Sequence, residues 1–294
     1  MSRYGKIDFH MHSAVSDGTD SPEEILYNVK NSGISFFSLT DHDATKGCEI
    51  IRSVLEKSET YSDLTFITGV EFSCKDEMGK YHILGYGYNP ESKAILDVIE
   101  KGHTYRMNKV RARLDFIEKE YGFSFPQEEI DNILAMDNPG KPHISNLMIK
   151  YGYAKTIGQA IKDYIDKIHF KNAYIRPEEA ICGICGAGGI PVLAHPFFGS
   201  GGELIIGKEM EERLMRLIEF GVQGVEAFYS GFSPKQINEM LAMADRYNLY
   251  VTAGSDYHGK NKLIELGDTG MDTNEQAPNG LKRFISTLKM KQAK

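Results

Sequence analysis

Apolar runs in this chain repeatedly end on carboxylates and imidazoles, and that repetition limits what the chain can fold into. The first run closes on Asp8-Phe9-His10-Met11-His12. In an extended segment successive side chains alternate faces, so His10 and His12 share one side while Phe9 and Met11 pack behind them. The same kind of ending returns at Thr40-Asp41-His42, Gly69-Val70-Glu71, Tyr81-His82, Ala194-His195-Pro196 and Ser255-Asp256-Tyr257-His258. A single histidine in such a run is ordinarily a hydrogen-bonded core residue. The recurrence predicts strand ends converging on one polynuclear metal site, with every ligand-type residue at a strand's carboxyl end.

The rest of the pattern is βαβ rhythm. Strands are predicted from Lys6 to His12, Ser35 to Thr40 and Thr65 to Phe72, with helices from Pro22 to Asn31 and Gly47 to Ser58 between them. Ser21-Pro22-Glu23-Glu24 carries the signature of a capped helix start, and Ser233-Pro234-Lys235-Gln236 repeats it. Alternation resumes with a helix from Pro177, strands at Ile190–Ala194, Gly224–Phe228 and Tyr250–Ala253, and helices Met210–Phe220 and Pro234–Tyr247. Between these halves, residues 92–168 read as consecutive helices punctuated by Gly122, Pro126, Pro139 and Gly152. We therefore expect an α/β domain built from residues 1–91 and 169–294, with an inserted helical cap over 92–168.

At 294 residues the chain is long enough for a full α/β core. Its net charge of -7 argues against a non-specific nucleic-acid coat, which draws its energy from many Lys and Arg contacts. An anionic substrate then needs a local positive centre, and divalent cations supply one. With no leader-like segment and no long apolar run, the expectation is a cytoplasmic protein with no membrane association and no protein partner. Cys182-Gly183-Ile184-Cys185 falls within a helix opened by Pro177, without a second CxxC or nearby His, so it is expected to be neither a zinc site nor a redox pair.

Mixed imidazole and carboxylate donors suit Mn, Fe or Zn, whereas Mg and Ca favour oxygen alone. A carboxylate such as Glu71 can bridge two ions, and a metal pair both activates water and neutralises phosphoryl charge. No serine or cysteine has nucleophile surroundings. Asp17, in Ser16-Asp17-Gly18-Thr19, is read as a ligand, and Asp8 and Asp41 as hydrogen-bond partners behind the ligands, Asp41 orienting His42.

Together, Asp8-x-His10-x-His12, Ser16-Asp17-Gly18-Thr19-x-Ser21-Pro22, Thr40-Asp41-His42-Asp43, Gly69-x-Glu71, His82-Ile83-Leu84-Gly85-Tyr86, Pro191-Val192-Leu193-Ala194-His195-Pro196 and Ser255-Asp256-x-His258 resemble the PHP (polymerase and histidinol phosphatase) family of metal-dependent phosphoesterases. The likeness is strongest to the branch acting on nucleoside bisphosphates and nucleotides or trimming RNA from its 5′ end. It implies a distorted (β/α)7 barrel with two or three divalent transition metals, Mn or Fe ahead of Zn. By motif, His10, His12, Glu71 and Asp256 would hold the first ion, Glu71, His82 and His195 the second, and Asp17, His42 and His258 the third. The implied reaction is hydrolysis of a nucleotide-like phosphomonoester by a metal-activated hydroxide, in which Glu71 and Asp256 are catalytic and His143 or a bound water protonates the leaving oxygen. Short single-stranded, 5′-phosphorylated RNA is the next substrate class. A histidinol-phosphate or sugar-phosphate phosphatase, a non-catalytic metal-stabilised module and a C–N amidohydrolase are the rivals. The last would favour a carboxylated barrel lysine, and no lysine stands at such a position.

Lys141-Pro142-His143-Ile144 in the insert and Lys171-Asn172-Ala173-Tyr174 just after it resemble substrate-contacting motifs of the branch, so Lys141, His143 and Lys171 are expected to bind substrate phosphate. The branch usually has Arg where Lys141 stands, and many relatives carry an Arg where Phe197-Phe198-Gly199 follows His195-Pro196. Arg106, Lys109 and Arg113 share one helical face, yet the acids around them make a solvated surface the expectation.

Overall fold

The computed structural model describes residues 5–199, 203–271 and 277–292. Seven strands follow one another around a single sheet in chain order: β1 (Lys6–Asp8), β2 (Ile34–Leu39), β3 (Thr65–Lys75), β4 (Lys80–Tyr86), β5 (Ile190–Leu193), β6 (Gly224–Tyr229) and β7 (Tyr250–Gly254). Past the end of β1 the chain leans on the β7 side, with Phe9 N–H donating to Ala253 O (2.9 Å) and Met11 bridging Tyr257. The sheet thus nearly closes into the expected distorted barrel, which leaves few free edges.

Two sequence expectations need correction. The first strand stops at Asp8 rather than His12, because side chains replace the ladder: Asp8 accepts from His10 N–H (3.2 Å) and Thr40 Oγ1 from Met11 N–H (3.2 Å). More consequential, β4 runs antiparallel to both β3 and β5, while the other pairs are parallel. The connection is a tight turn in which Asp76 Oδ1 accepts from Met78 and Gly79 N–H. A parallel return needs a crossover of about a dozen residues, which this turn does not have. His82 therefore sits near the start of β4, and only the reversed direction brings it to the rim where the other strands end.

Helices α1 (Pro22–Asn31) and α2 (Lys46–Lys57) cover one flank, and Met11, Ile25, Leu26, Phe37 and Ile51 form the apolar cluster beneath them. The Ser21 box caps α1, with Ser21 Oγ accepting from Glu24 N–H (3.2 Å) and Glu24 Oε2 from Ser21 N–H (2.8 Å). Between β4 and β5 come α3 (Lys93–Tyr121), α4 (Gln127–Leu134), α5 (Lys141–Lys150) and α6 (Ile157–Gln159), the last continued by π and 3-10 turns to Lys167. They enclose an apolar cluster of their own, with Val110, Leu114, Ile133, Ile144, Met148 and Ile165 at its centre. The barrel is completed by α7 (Pro177–Gly186), α8 (Gly207–Phe220), α9 (Pro234–Arg246) and α10 (Asn279–Gln292), whose Phe284 meets Phe9 edge to face at 5.5 Å. Among the described residues no helix is long and apolar enough to cross a membrane.

Candidate metal centre

Pleat geometry sends His10 and His12 to the inner rim while Phe9 and Met11 join separate apolar clusters. Glu71 stands at the centre. Its Oε2 faces His10 Nε2 (3.3 Å), His12 Nε2 (3.1 Å) and His42 Nδ1 (3.2 Å), and its Oε1 faces His82 Nδ1 (2.8 Å) and His195 Nε2 (3.3 Å). Asp256 Oδ1 approaches His10 and His12 Nε2 at 3.5 and 3.4 Å. On the far side Asp17 Oδ1 lies 3.5 Å from His258 Nε2 and 3.9 Å from His42 Nε2. Three groups have donors close enough to share an ion: His12, Asp17, His42 and His258; His10, His12 and Asp256; and His42, Glu71 and His82. His195 adjoins the last through Nε2, 3.2 Å from His82 Nδ1.

The donor atoms fit metal ions. His10 Nε2, both ring nitrogens of His12, Asp17 Oδ1, His42 Nδ1 and Glu71 Oε2 are buried without a hydrogen-bond partner. Buried polar atoms are rarely left in that condition, and each costs on the order of 1–3 kcal/mol if nothing satisfies it. Separations slightly above 3 Å between such atoms are what donors at about 2.0–2.2 Å from one shared ion require. The site therefore suits several metal ions.

Three rings are turned by the same device. His10 Nδ1 lies 2.9 Å from Glu226 Oε1, His258 Nδ1 2.8 Å from Asp256 O, and His195 Nδ1 3.0 Å from Phe198 O. Each acceptor calls for a proton on Nδ1 and so leaves the Nε2 lone pair for a metal. Glu226 is fully buried on β6, and its Oε2 also accepts from His195 N–H (2.8 Å). Sequence reading missed it, although an acid within the apolar run Gly224-Val225-Glu226-Ala227-Phe228 repeats the pattern of Gly69-Val70-Glu71. Asp8 accepts from Ser255 N–H (3.0 Å), Ser255 Oγ (2.6 Å) and Gly267 N–H (2.8 Å), pinning the segment that carries Asp256. Asp41 departs from its expected role of orienting His42. Its carboxylate accepts instead from Ser13 N–H (2.8 Å), Ser13 Oγ (2.8 Å) and Ser16 Oγ (2.7 Å), bracing the loop before Asp17. His195 and Asp256 take positive φ, +26° and +58°, conformations that non-glycine residues adopt at a cost.

Electrostatics follow from burial among opposite charges. Burial alone would depress His10 and His12; Glu226, Glu71 and Asp256 around His10 raise it, while Asp256 and Glu71 carry His12 to about 9. Against burial, His82, His10 and His42 hold Glu71 well below the usual carboxylate range. Burial pulls His42, His82 and His258 below the usual imidazole value, against the pull of the neighbouring carboxylates.

A cavity of about 190 Å³ opens over the centre, walled by His42, Glu71, His82, His195, Asp256 and His258 together with Phe198, Gly199, Tyr229 and Lys262. Lys141, His143 and Lys171 are not on this wall. Lys141 pairs with Asp166 (2.8 Å), His143 Nδ1 accepts from Gly140 N–H (3.0 Å), and Lys171 is exposed. Conversely, the solvated face expected for Arg106, Lys109 and Arg113 is wrong: all three are buried, at 8, 7 and 6% exposure. Arg106 Nε reaches Asp43 (3.2 Å), Lys109 Nζ lies 3.9 Å from the centre of the Tyr174 ring, and Arg113 sits over Phe170 with its Nε unpartnered. Spacing along one helical face was the visible signal. The long-range packing of 170–174 that buries it was not. Cys182 and Cys185 are exposed on α7 and contribute to no donor group among the described residues.

A 3′,5′-nucleoside bisphosphate phosphatase from Chromobacterium violaceum is 28% identical over 86% of this chain and 87% of its own. A 5′-3′ exoribonuclease from Haemophilus influenzae is 27% identical over 89% of this chain and 93% of its own. Among solved structures, an amidohydrolase from Chromobacterium violaceum with bound sulfate and no metal superposes with a TM-score of 0.80 at 25% identity, covering 97% of this chain and 96% of that one. The PHP domain model matches residues 8–178, well over half the chain and the stretch that supplies His10, His12, Asp17, His42, Glu71 and His82 to the centre, and the chain belongs to the PHP domain family.

Proposed function

We propose that this protein is a metal-dependent phosphoesterase releasing phosphate from nucleotides of the AMP or nucleoside 3′,5′-bisphosphate type, with short 5′-phosphorylated RNA as the second substrate class. The observation that carries the reading is the set of buried, unpartnered donor atoms converging on Glu71. His10, His12, Glu71 and Asp256 would hold one ion, Glu71, His82 and His195 another, and Asp17, His42 and His258 a third. Asp17, a hard oxygen donor amid imidazoles, favours Mn or Fe over Zn. When bound, such ions supply an activated water and charge for the phosphoryl oxygens. Glu226 and the carbonyls of Phe198 and Asp256 keep the rings aimed, and Glu71 spans two donor sets.

Residues 92–168 act as a substrate cap on the barrel formed by 1–91 and 169–294. Arg106 and Lys109 on α3 supply its buried positive charge, and no carboxylate lies within ion-pair range of Lys109 among the described residues. A buried cation without a counterion is unfavourable until an anion arrives. This charge favours phosphate esters over the uncharged C–N bonds that an amidohydrolase, like the solved relative, would cleave. Lys141 and His143 on the cap and Lys171 just after it, outside the cavity wall, contact the parts of the substrate beyond the scissile phosphate, with Lys141 exchanging Asp166 for substrate.

The deciding experiment combines metal analysis with a panel of AMP, 3′,5′-bisphosphates, histidinol phosphate and 5′-phosphorylated RNA. Two or three transition-metal equivalents and preference for the nucleotides are expected, with loss of activity on chelation and recovery with Mn. Glu71→Ala should lower kcat/KM more than about tenfold, roughly 1.4 kcal/mol of barrier. Full activity in metal-free protein would overturn the reading, and preference for histidinol phosphate would overturn the substrate class.

A further inference from the structure

Among the described residues walling the cavity, Lys262 carries the one permanent positive charge, and it belongs to none of the donor groups. Its backbone is tightly held. The preceding turn, Gly259–Asn261, is fastened by Lys260 N–H to Thr19 Oγ1 (2.9 Å) and Asn261 Nδ2 to Asp17 O (2.8 Å). Asn146 on α5 donates to Asn261 Oδ1 (3.0 Å), so the insert grips the same turn. Gly259, at φ +62°, has no room for a Cβ, which would meet Thr19 Oγ1 at 2.0 Å.

From this anchored turn the side chain reaches back to Asp256, with Nζ 2.5 Å from Oδ2; Tyr229 Oη donates to the same oxygen at 3.0 Å. The carboxylate is thereby divided: Oδ1 faces His10, His12 and His258, while Oδ2 faces Lys262 and Tyr229. An ammonium offers three donors, and Asp256 occupies one. The side chain remains 36% exposed at the cavity, which the uncharged Phe198 and Gly199 also line.

We propose that Lys262 contacts the phosphoryl group entering this cavity and makes the site prefer dianionic phosphomonoesters to monoanionic diesters. The inference rests on the phosphoesterase reading above. A charge beside the donor cluster interacts more strongly with a doubly charged phosphoryl than with a singly charged one, and Asp256 keeps the ammonium in place before substrate arrives.

The test uses Mn-loaded wild type, Lys262→Gln and Lys262→Arg. Metal content should be unchanged. By calorimetry, the Kd for inorganic phosphate should weaken about tenfold or more in Lys262→Gln and less than about threefold in Lys262→Arg, while that for dimethyl phosphate changes less than about threefold in either. In turnover, kcat/KM of Lys262→Gln for p-nitrophenyl phosphate should fall about tenfold, with bis(p-nitrophenyl) phosphate nearly unaffected. Equal losses for both anions, or none, would overturn the proposal; so would loss of metal, which would make Lys262 a support for Asp256 alone. If wild type hydrolyses neither ester, the phosphoesterase reading fails, and the two binding constants still decide the role of Lys262.

Discussion

At the scale of single residues, a candidate metal donor and the group that aims it come from distant parts of the chain. A donor announces itself because imidazole and carboxylate are out of place at the end of an apolar run. Its support does not, because what matters is which acceptor a ring nitrogen meets across the barrel. His10 and Glu226 are separated by 216 residues and meet at 2.9 Å. Glu226→Gln tests this contact. The amide keeps the shape but removes the charge that holds the Nδ1 proton, and supports of this kind contribute about 10- to 100-fold in metal affinity. We expect a loss of that size in Mn titrations with the far-ultraviolet dichroism unchanged; wild-type affinity would show that Glu226 does not set the ring. Gly254→Ala should be harsher, since its Cβ would meet His10 Cβ at 2.2 Å and Glu226 Oε1 at 2.3 Å. Displacing both should lower the melting temperature and the metal stoichiometry together.

Elements were read well where local chemistry decides them and poorly where partners do. Ser21 and Glu24 fix the start of α1 from neighbouring residues alone, and the helix begins as expected. The direction of β4 was equally local, given by the short turn at Asp76–Gly79, but βα rhythm on either side obscured it. For α3 the error was one of burial: its alternating charges look solvated until Phe170 and Tyr174 are laid over them. The consequence can be measured at Lys109. Burial, reinforced by Arg106, lowers its ammonium to about 7, well below the value near 10.4 expected unfolded. A lysine depressed in the fold binds its proton more weakly there than when unfolded, so the penalty is full below about pH 7 and fades as pH rises towards 10.4. Lys109→Met should therefore stabilise the protein in chemical denaturation at pH 6.5 by on the order of 1–3 kcal/mol, part of the penalty being offset by the Tyr174 ring, with the gain shrinking by pH 9. Inorganic phosphate should stabilise wild type more than the variant. A destabilised variant at pH 6.5 would contradict this account of the α3 cation.

For the whole molecule, the order of strands around the barrel makes the candidate metal centre a joint between the two halves of the chain. The halves are separated in sequence by the helical insert, yet His10, His12, His42, Glu71 and His82 from the first face His195, Asp256 and His258 from the second. Without ions the joint holds buried donors with no partners, a condition that favours local opening. Ions that bind the folded chain and not the unfolded one add RT ln(1 + [L]/Kd), about 2.7 kcal/mol at a hundredfold excess over Kd. In a chain of this size each kcal/mol is worth about 2–4 °C, so Mn at that excess should raise the melting temperature by roughly 5–10 °C. The location of the protection is more telling than its size. Hydrogen exchange should slow at the backbone around Glu71, Ala194 and Ser255 together, because one cluster ties β3, β5 and the segment after β7, while the separate apolar cluster of α3 to α6 should respond little. Protection confined to the 8–82 half would mean that His195 and Asp256 do not share ions with Glu71, and the joint between the halves would have to be sought in packing alone.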